Sequence, residues 1–249
     1  MMINGNDLEI ILSPLEEIRF GIKTARAANL TLNNLSQAKK FCQNHAVRLL
    51  IARCQADQLD VVQEMERMGF ILTDTLVYYV RNLKNEPLPP LDPSIEIRTI
   101  AIDENDQIQN IAEEAFSNYM SHYHADKRLN RKHCDDTYKD WARNACNHRD
   151  DSHDVLVAIR EGIILAFATL RMNDRRQGEG VLFGVSPSAQ GFGLYKALMT
   201  AGMHWCADMH AQEMIVSTQI TNVAVQKVWS RLGFEARNYI YTLHKWFDF

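Results

Sequence analysis

The sequence has 249 residues, which at roughly 150 residues per domain predicts one large domain or two small ones. Its 46% hydrophobic and 23% charged residues are typical of a globular protein and exclude a disordered or fibrous chain. The 27 Lys and Arg against 31 Asp and Glu give a net charge of −4, so we expect no nucleic-acid-binding surface. No run reaches the roughly 18 apolar residues of a membrane span, and residues 1–7 lack the pattern of a secretory signal. We therefore expect a soluble, cytoplasmic protein.

The five cysteines are an odd number and include no Cys-x-x-Cys pair. Disulfide frameworks and zinc knuckles both need closer, paired spacing. We expect free, packed thiols and no metal site.

A proline-rich segment divides the chain. Four of the six prolines fall within residues 87–94, and proline cannot occupy the interior of a regular element. The segment predicts a linker at 87–94 between a domain at 1–86 and a second at 95–249.

An internal repeat flanks this linker. Residues 50–70 align without a gap to residues 214–234, and each copy predicts a strand, a helix, a Gly-Phe turn and a strand. Chance similarity between two amphipathic helices is the alternative. The identical positions are Ile51/Ile215, Gln55/Gln219, Val61/Val225, Arg67/Arg231, Gly69/Gly233 and Phe70/Phe234.

The segment after the linker alternates between helical and strand periodicity, which predicts a mixed α/β (α+β) sheet fold. Glu161-Gly162 is typical of a tight hairpin turn. The predicted elements are a helix at 104–120, a helix around 134–145, strands at 155–159, 163–170 and 181–185, and a helix from about 194 to 205.

The most informative stretch is the loop between the last of these strands and the helix that follows it. It reads Val185-Ser186-Pro187-Ser188-Ala189-Gln190-Gly191-Phe192-Gly193-Leu194-Tyr195. Glycines allow backbone N–H groups to turn inward, and a helix N-terminus adds partial positive charge. The pattern therefore predicts a phosphate-binding cradle made of main-chain atoms.

This loop resembles the acetyl-CoA loop of the GNAT N-acetyltransferases, whose pattern is [Gln/Arg]-x-x-Gly-x-[Gly/Ala]. Gln190 and Gly193 match, whereas Tyr195 stands where the family has a small residue. The segment from Asn222 to Phe234 is similar to the same family's Asn-x-x-Ala-x-x-x-Tyr-x-x-x-Gly-Phe helix. The resemblance covers residues 95–249 and implies a GNAT-like fold.

Within this family the chain resembles the dTDP-fucosamine (dTDP-4-amino-4,6-dideoxygalactose) acetyltransferase type. That type also carries a degenerate N-terminal GNAT-like half-domain. The motifs similar to it are residues 19–22, residues 123–126, and a Tyr-x-x-Trp helix containing Tyr138 and Trp141.

The resemblance implies that acetyl-CoA is the cosubstrate and that a primary amine attacks it directly in a ternary complex. The backbone N–H of Val185 would polarise the thioester carbonyl, as in an oxyanion hole. Asn222 would contact the pantetheine arm, with an ordinary helix N-cap as the alternative. The implied cofactor-binding residues are Phe183, Val185, Gln190, Gly191, Phe192, Gly193, Leu194, Tyr195 and Asn222.

The group that protonates the leaving thiol is less clear. The alignment places Trp229 where the related aminosugar enzymes have an acidic tyrosine, and an indole N–H has no useful acidity. CoA leaves as a thiolate, or Tyr239 or Tyr241 substitutes, or activity has been lost. We expect one of the first two, because the rest of the loop is intact.

Candidate bases lie in the histidine-rich segment around residue 123. His122 and His124 flank Tyr123, and Asp126 is close enough in sequence to orient one of the two imidazoles. The alternative is that both histidines form hydrogen bonds within a loop. Tyr123, Asp126 and Arg171 are the predicted substrate-binding residues. Arg171 would pair with a phosphate of a sugar nucleotide, with a surface role as the alternative.

The sequence thus predicts an acetyl-CoA-dependent N-acetyltransferase whose acceptor is a nucleotide-linked aminodeoxysugar. Acetylation of a protein N-terminus or another small amine is an alternative on the same scaffold. A non-catalytic acyl-CoA-binding module is the alternative suggested by Trp229. The oligomeric state stays open, a homodimer included.

Overall fold

The computed structural model describes residues 8–248, so the predicted absence of a secretory signal in residues 1–7 lies outside it. The helices of this part are α1 Pro14–Phe20, α2 Leu35–Asn44, α3 Leu59–Arg67, α4 Asn105–Ala115, α5 His122–Ala125, α6 Arg131–Asn147, α7 Leu194–Asp208 and α8 Val223–Arg231. The strands are β1 Glu9–Leu12, β2 Thr24–Ala28, β3 Leu49–Gln55, β4 Ile71–Asn82, β5 Glu96–Thr99, β6 His153–Arg160, β7 Ile163–Met172, β8 Gln177–Val185, β9 Glu213–Gln219 and β10 Glu235–Trp246.

The chain forms two compact units that are not continuous in sequence. Of the described residues, the first unit takes 8–77, 120–134 and 238–248, and the second takes 78–119 and 135–237. This division differs from the predicted one at residues 87–94, because two later segments belong to the first unit. None of the helices in the described part combines the length and the apolar character that crossing a bilayer demands.

The sheet of the first unit is mixed. Strand β2 pairs antiparallel with β1 and parallel with β3, and β3 pairs antiparallel with β10. Because side chains alternate across a strand, β3 contributes residues to two hydrophobic cores, one on each face of the sheet. Leu50 and Ala52 pack in the core that contains residues of α2 and α3, whereas Leu49 and Ile51 pack with Tyr123.

The sheet of the second unit is also mixed. Strands β5, β6, β7 and β8 pair antiparallel in that order, and β8 pairs parallel with β9. The predicted hairpin between β6 and β7 is confirmed, with Glu161 and Gly162 at φ of 54° and 76°. Two positive φ values are what a two-residue hairpin turn requires. The predicted mixed α/β class is therefore confirmed.

The internal repeat is also confirmed as structure. In both copies a strand leads to a helix that ends before a glycine in the left-handed region, Gly69 at φ 80° and Gly233 at φ 79°, and a long strand follows. The first copy runs from β3 through α3 to β4, and the second from β9 through α8 to β10.

Two predicted elements differ in detail. Helix α4 ends at Ala115 rather than at residue 120, because the chain then forms a turn closed by Tyr119 N–H donating to Phe116 O at 3.0 Å. The proline-rich segment forms no regular element, as expected, but it is anchored within the second unit. Pro89 O lies 2.9 Å from His204 Nε2, and Leu88 packs against the core.

All five cysteines are buried and free, which confirms the prediction. Burial raises the pKa of the Cys42 and Cys206 thiols to about 12. These thiols are protonated at neutral pH.

Because β7 and β8 pack closely, we expect even a single added methyl group on β8 to destabilise the protein. A Cβ at Gly184 would overlap the fully buried ring of Phe167. We expect Gly184→Ala to lower the free energy of unfolding by about 1–3 kcal/mol in urea denaturation.

The matched control is Gly202→Ala within α7, where the new Cβ would lie 3.2 Å from a terminal methyl of Leu170 and 3.3 Å from Cε of Met214, without the overlap found at Gly184. Replacing Gly by Ala in a helix interior stabilises the helix by up to about 1 kcal/mol, which offsets this contact. The variant's free energy of unfolding should therefore stay within about 1 kcal/mol of the wild type. Equal effects of the two substitutions would contradict the packing of β7 on β8.

Candidate active site

Strands β8 and β9 separate part of the way along their length. Their parallel pairing runs from Gln177↔Glu213 to Gly180↔Val216, and no pairing between them in the described residues continues beyond. At the same point the register of β8 against β7 shifts, so that Val181 is an extra residue. A bulge of this kind bends a strand away from its neighbour. A gap therefore opens beside the second half of β8.

The backbone N–H of Val185 points into this gap. Ser186 N–H donates to Leu165 O at 2.8 Å, and Val185 is the Cα partner of Ala166 on β7. Antiparallel pairs alternate between hydrogen-bonded and non-hydrogen-bonded, so the Val185 N–H faces away from β7. This orientation supports the predicted role of Val185 as a donor to a carbonyl oxygen.

The glycine loop follows directly. A short 3₁₀ turn at Pro187–Ala189 leads to Gly191 at φ 86° and Gly193 at φ 81°, and α7 begins at Leu194. Only glycine adopts this left-handed backbone at low cost. Nothing lies within 4 Å of a Cβ built at either glycine, so the conformation and not crowding requires them.

The loop amides are available for a ligand. Within residues 8–248 no protein acceptor takes the backbone N–H groups of residues 191–196, whereas the Gln190 N–H donates to Pro187 O at 3.4 Å. The predicted cradle at Gln190 to Tyr195 is therefore shifted by one residue, because the first amide is already used. Unpaired donors at a helix N-terminus are typical of an anion-binding site.

The loop side chains are divided between anchoring and exposure. Leu194 is buried in the core of the second unit, which fixes the start of α7. Phe192 is 55% exposed, and the guanidinium of Arg160 lies 4.5 Å from its ring centroid. The exposed ring of the loop thus packs against a cation from the end of β6.

Asn222 occupies the N-cap position of α8. Its Nδ2 donates to Thr218 Oγ1 at 3.1 Å, and its side chain makes no capping hydrogen bond. Asn222 thus lies at the N-cap position without the side-chain hydrogen bond of an ordinary N-cap, and its predicted contact with a pantetheine arm stays a prediction.

Trp229 and Tyr195 form a hydrogen-bonded pair. The Nε1–H of Trp229 donates to Tyr195 Oη at 2.9 Å, and Trp229 is only 2% exposed. The Tyr195 ring lies 5.5 Å from that of Phe183 on β8. Burial raises the pKa of Tyr195 above its ordinary value of 10, although the Trp229 hydrogen bond lowers it in part. Both residues depart from the family pattern in the sequence, and only the fold brings them into contact.

In the first unit, Asp126 and two histidines form a buried chain. Asp126 Oδ2 lies 2.8 Å from His244 Nδ1, and His244 Nε2 lies 2.9 Å from His122 Nδ1. The prediction that Asp126 orients His122 or His124 is therefore wrong, because its carboxylate orients His244 instead. Burial, together with the charge of His244, lowers the pKa of His122 well below 6.5. His122 is therefore neutral at pH 7.

The other residues of this segment also have structural partners. His124 Nδ1 lies 3.0 Å from the backbone N of Ser121, as part of the cap of α5. Tyr123 is 1% exposed, and its hydroxyl lies 2.7 Å from Glu16 and 2.8 Å from Arg26. The alternative of hydrogen bonding within the fold is thus what the structure shows for these side chains. The predicted substrate contact of Tyr123 does not fit such complete burial.

Arg171 and Tyr241 also have partners in the fold. Arg171 Nη2 lies 2.7 Å from Glu179 Oε2 across the β7–β8 pair, which neutralises a cation predicted to bind phosphate. Tyr241 lies on β10 opposite Cys54 and packs against the helix-side core of the first unit. Its proposed acid role stays a prediction. Among the described residues, no group of three or more His, Cys, Asp or Glu could hold a metal ion.

The Acetyltransferase (GNAT) family model matches residues 96–234, more than half of the sequence. The chain therefore belongs to this family, and acetyl-CoA is the cosubstrate that its members use. The match begins next to the predicted linker and includes the glycine loop, Asn222 and Trp229.

Solved structures show the same fold over nearly the whole chain. A GCN5-related N-acetyltransferase from Sphaerobacter thermophilus superposes with a TM-score of 0.65 at 14% identity, covering 96% of this chain and 76% of that one. A tandem GNAT protein from the clavulanic acid biosynthesis pathway gives a TM-score of 0.61 at 12% identity, covering 91% and 76%. These likenesses confirm the predicted GNAT fold, and the tandem protein agrees with a GNAT-like N-terminal half.

One curated relative is a mycothiol acetyltransferase from Amycolatopsis mediterranei (strain U-32). It is 38% identical over 64 residues, which are 26% of this chain and 21% of the relative. The match thus spans about a fifth of the relative's length. The name differs from the predicted dTDP-fucosamine type, which the comparisons do not support.

The network around Tyr123 predicts how stability depends on pH. Burial alone would raise the pKa of Glu16, but hydrogen bonds and the charge of Arg26 outweigh burial and lower it from 4.5 to about 2. A lowered folded-state pKa stabilises the fold above the unfolded pKa, and that contribution is lost as pH falls from about 4.5 to 2. We expect roughly 3 kcal/mol of pH-dependent stability from Glu16, to be measured by denaturation at each pH.

Glu16→Gln should remove this part of the pH dependence and destabilise the protein at pH 7. Glu64→Gln is the control, since Glu64 forms only an exposed pair with Arg67 and should behave as the wild type. A pH dependence between 4.5 and 2 that is unchanged in Glu16→Gln would contradict the assignment.

Proposed function

We propose that this protein transfers an acetyl group from acetyl-CoA to a primary amine, by direct attack in a ternary complex. The observation that carries the proposal is the row of backbone N–H groups at residues 191–196 that no protein acceptor takes in the described part of the chain. Membership in the GNAT family supports the assignment of these donors to a coenzyme diphosphate.

The loop supplies binding without a fixed basic side chain. Gly191 and Gly193 hold the amides outward, and the N-terminus of α7 adds partial positive charge toward the same point. The pantetheine arm would then follow the gap beside β8, with Asn222 of α8 as a contact. This path leads the thioester toward the N–H of Val185.

The Val185 N–H would donate to the thioester oxygen as negative charge develops there. A donor that is already oriented costs no reorganisation when the amine attacks. The amine must arrive neutral, and the route of its proton stays a prediction. His122 and His124 are the residues proposed for it, although both imidazoles are hydrogen-bonded within the first unit.

For the acceptor, we keep a nucleotide-linked aminodeoxysugar as the first candidate. The name of the mycothiol acetyltransferase relatives adds a small mycothiol-related amine as another. A protein N-terminus is the alternative on the same fold. The pairing of Arg171 with Glu179 removes one cation from a phosphate site, which weakens the sugar-nucleotide candidate.

A non-catalytic acyl-CoA-binding module is the second candidate function. The observation that favours it is Trp229, which occupies the position of the family tyrosine on α8 and is buried. In that case acetyl-CoA would bind and no thiol would be released.

The deciding experiment incubates the protein with acetyl-CoA and a panel of amines: aminosugar nucleotides, small mycothiol-related amines and peptides with free N-termini. Free thiol release and the mass of the acetylated product are both measured. Release with one amine class supports the transferase and identifies its acceptor. Tight acetyl-CoA binding without release for any amine would reject the transferase in favour of the binding module.

A substitution in the loop tests the binding assignment. Gly193→Val places a β-branched residue at φ 81° and directs its side chain into the open space above the amides. We expect acetyl-CoA binding, measured by calorimetry, to weaken about tenfold or more.

Gly162→Val is the matched control, because Gly162 has a similar φ of 76° and equally open surroundings in the β6–β7 turn. Both variants should lose comparable stability from backbone strain, while only Gly193→Val loses affinity. Equal affinity of the two variants would count against the loop as the coenzyme site.

A further inference from the structure

The two positions at which this chain departs from the GNAT motifs contact each other. Tyr195 stands near the start of α7, where a small residue is usual, and Trp229 stands on α8, where a tyrosine is usual. Trp229 Nε1 lies 2.9 Å from Tyr195 Oη, although 34 residues separate the two in sequence. A tyrosine hydroxyl is therefore still present beside α8, but α7 supplies it.

The direction of this hydrogen bond determines where the tyrosine proton can go. An indole N–H can only donate, so the Tyr195 oxygen is the acceptor and its own O–H is left to donate elsewhere. In the described part of the chain no protein group accepts that proton. The hydroxyl thus has one fixed donor and one uncommitted proton.

The position of Tyr195 relates this proton to the gap beside β8. Its ring packs 5.5 Å from Phe183, two residues before Val185 on the part of β8 that has separated from β9. Its hydroxyl contacts α8, which follows β9. Tyr195 therefore contacts both the separated part of β8, which carries the Val185 N–H, and the helix that follows β9.

We propose that Tyr195 is the general acid of the transfer reaction and that Trp229 is its positioning residue. The proposal rests on the proposed function. It assigns to this chain a proton donor on α7 instead of α8, at a position that the motif would fill with a small side chain.

The reaction balances as follows. The amine nitrogen uses its lone pair to form a bond with the thioester carbon, and the carbon–sulfur bond then breaks with its electron pair going to sulfur. Tyr195 gives its proton to that sulfur, which yields CoA thiol and a phenolate. The attacking nitrogen loses one proton to solvent, and the phenolate takes one proton back from solvent, so that amine and acetyl-CoA become amide and CoA thiol.

Trp229 acts on the phenolate. Its N–H hydrogen bond favours the charged oxygen and so offsets part of the rise that burial causes in the pKa of Tyr195. The indole is itself held by the Tyr79 ring, 5.3 Å away. In the proposed mechanism, Trp229 therefore positions the proton donor and does not donate the proton itself.

The test needs no acceptor amine. Binding of CoA and of desulfo-CoA, which lacks the sulfur, is measured by calorimetry for the wild type and Tyr195→Phe near pH 9, where an ordinary thiol of pKa about 8.5 is largely thiolate. If the hydroxyl donates to the sulfur, the variant should bind CoA about fivefold more weakly and desulfo-CoA as well as the wild type. Trp229→Phe should lose part of the same sulfur-dependent affinity.

Tyr138→Phe is the matched control, since Tyr138 lies in the same unit but packs in the core that contains α4 residues. It should leave both affinities unchanged. Equal effects of Tyr195→Phe on the two ligands, or no effect on either, would overturn the role of Tyr195 alone. Failure of the wild type to bind either ligand would instead reject the proposed function.

With the best amine of the panel, Tyr195→Phe should lower kcat by about a hundredfold or more while KM for acetyl-CoA stays within about twofold. A kcat within twofold of the wild type would mean that CoA leaves as a thiolate without this acid.

Discussion

The candidate site depends on a set of backbone N–H groups that the fold leaves without acceptors. Residues 191–193 cannot donate within a helix or a sheet, because two glycines hold the chain in the left-handed region until α7 begins. The next three amides belong to the first turn of α7, where no preceding carbonyl is in reach. Binding an anion there satisfies donors that water would otherwise solvate. The bulge at Val181 leaves a further amide without a partner on β8. Beyond it, in the described residues, the N–H of Val185 points to a side where no strand pairs with β8.

The pair formed by Tyr195 and Trp229 shows how two unusual residues can be consistent with one another. Taken singly, each breaks a motif, and Trp229 in particular suggests lost activity. Taken together, they fill the same space between α7 and α8 and keep a phenol beside the gap. Under the proposed acid role of Tyr195, a tyrosine on α7 with a tryptophan on α8 would supply the phenol that the motif places on α8.

The first unit contains the histidine-rich segment in which the sequence predicts a base, His122 or His124, and the substrate contacts Tyr123 and Asp126. Asp126, His244 and His122 form one chain, and Glu16, Arg26 and Tyr123 form another. Each buried charge has an opposite charge or several hydrogen bonds, which is the condition for tolerating it away from water. These networks fix residues 120–126 against the strands of the first unit, a structural role that agrees with the burial of Tyr123.

Local pattern determined the elements and the loop. The alternation of β6 and β7, the Glu161-Gly162 turn, the repeat ending at Gly69 and Gly233, and the glycines of the loop all follow from neighbours within a few residues, where backbone preference and side-chain period act. The partners of the polar side chains were decided only by the tertiary structure. Asp126 meets His244 across 118 residues, and Tyr195 meets Trp229 across 34. No period or propensity links such pairs, because their proximity arises from how strands and helices pack and not from the chain between them.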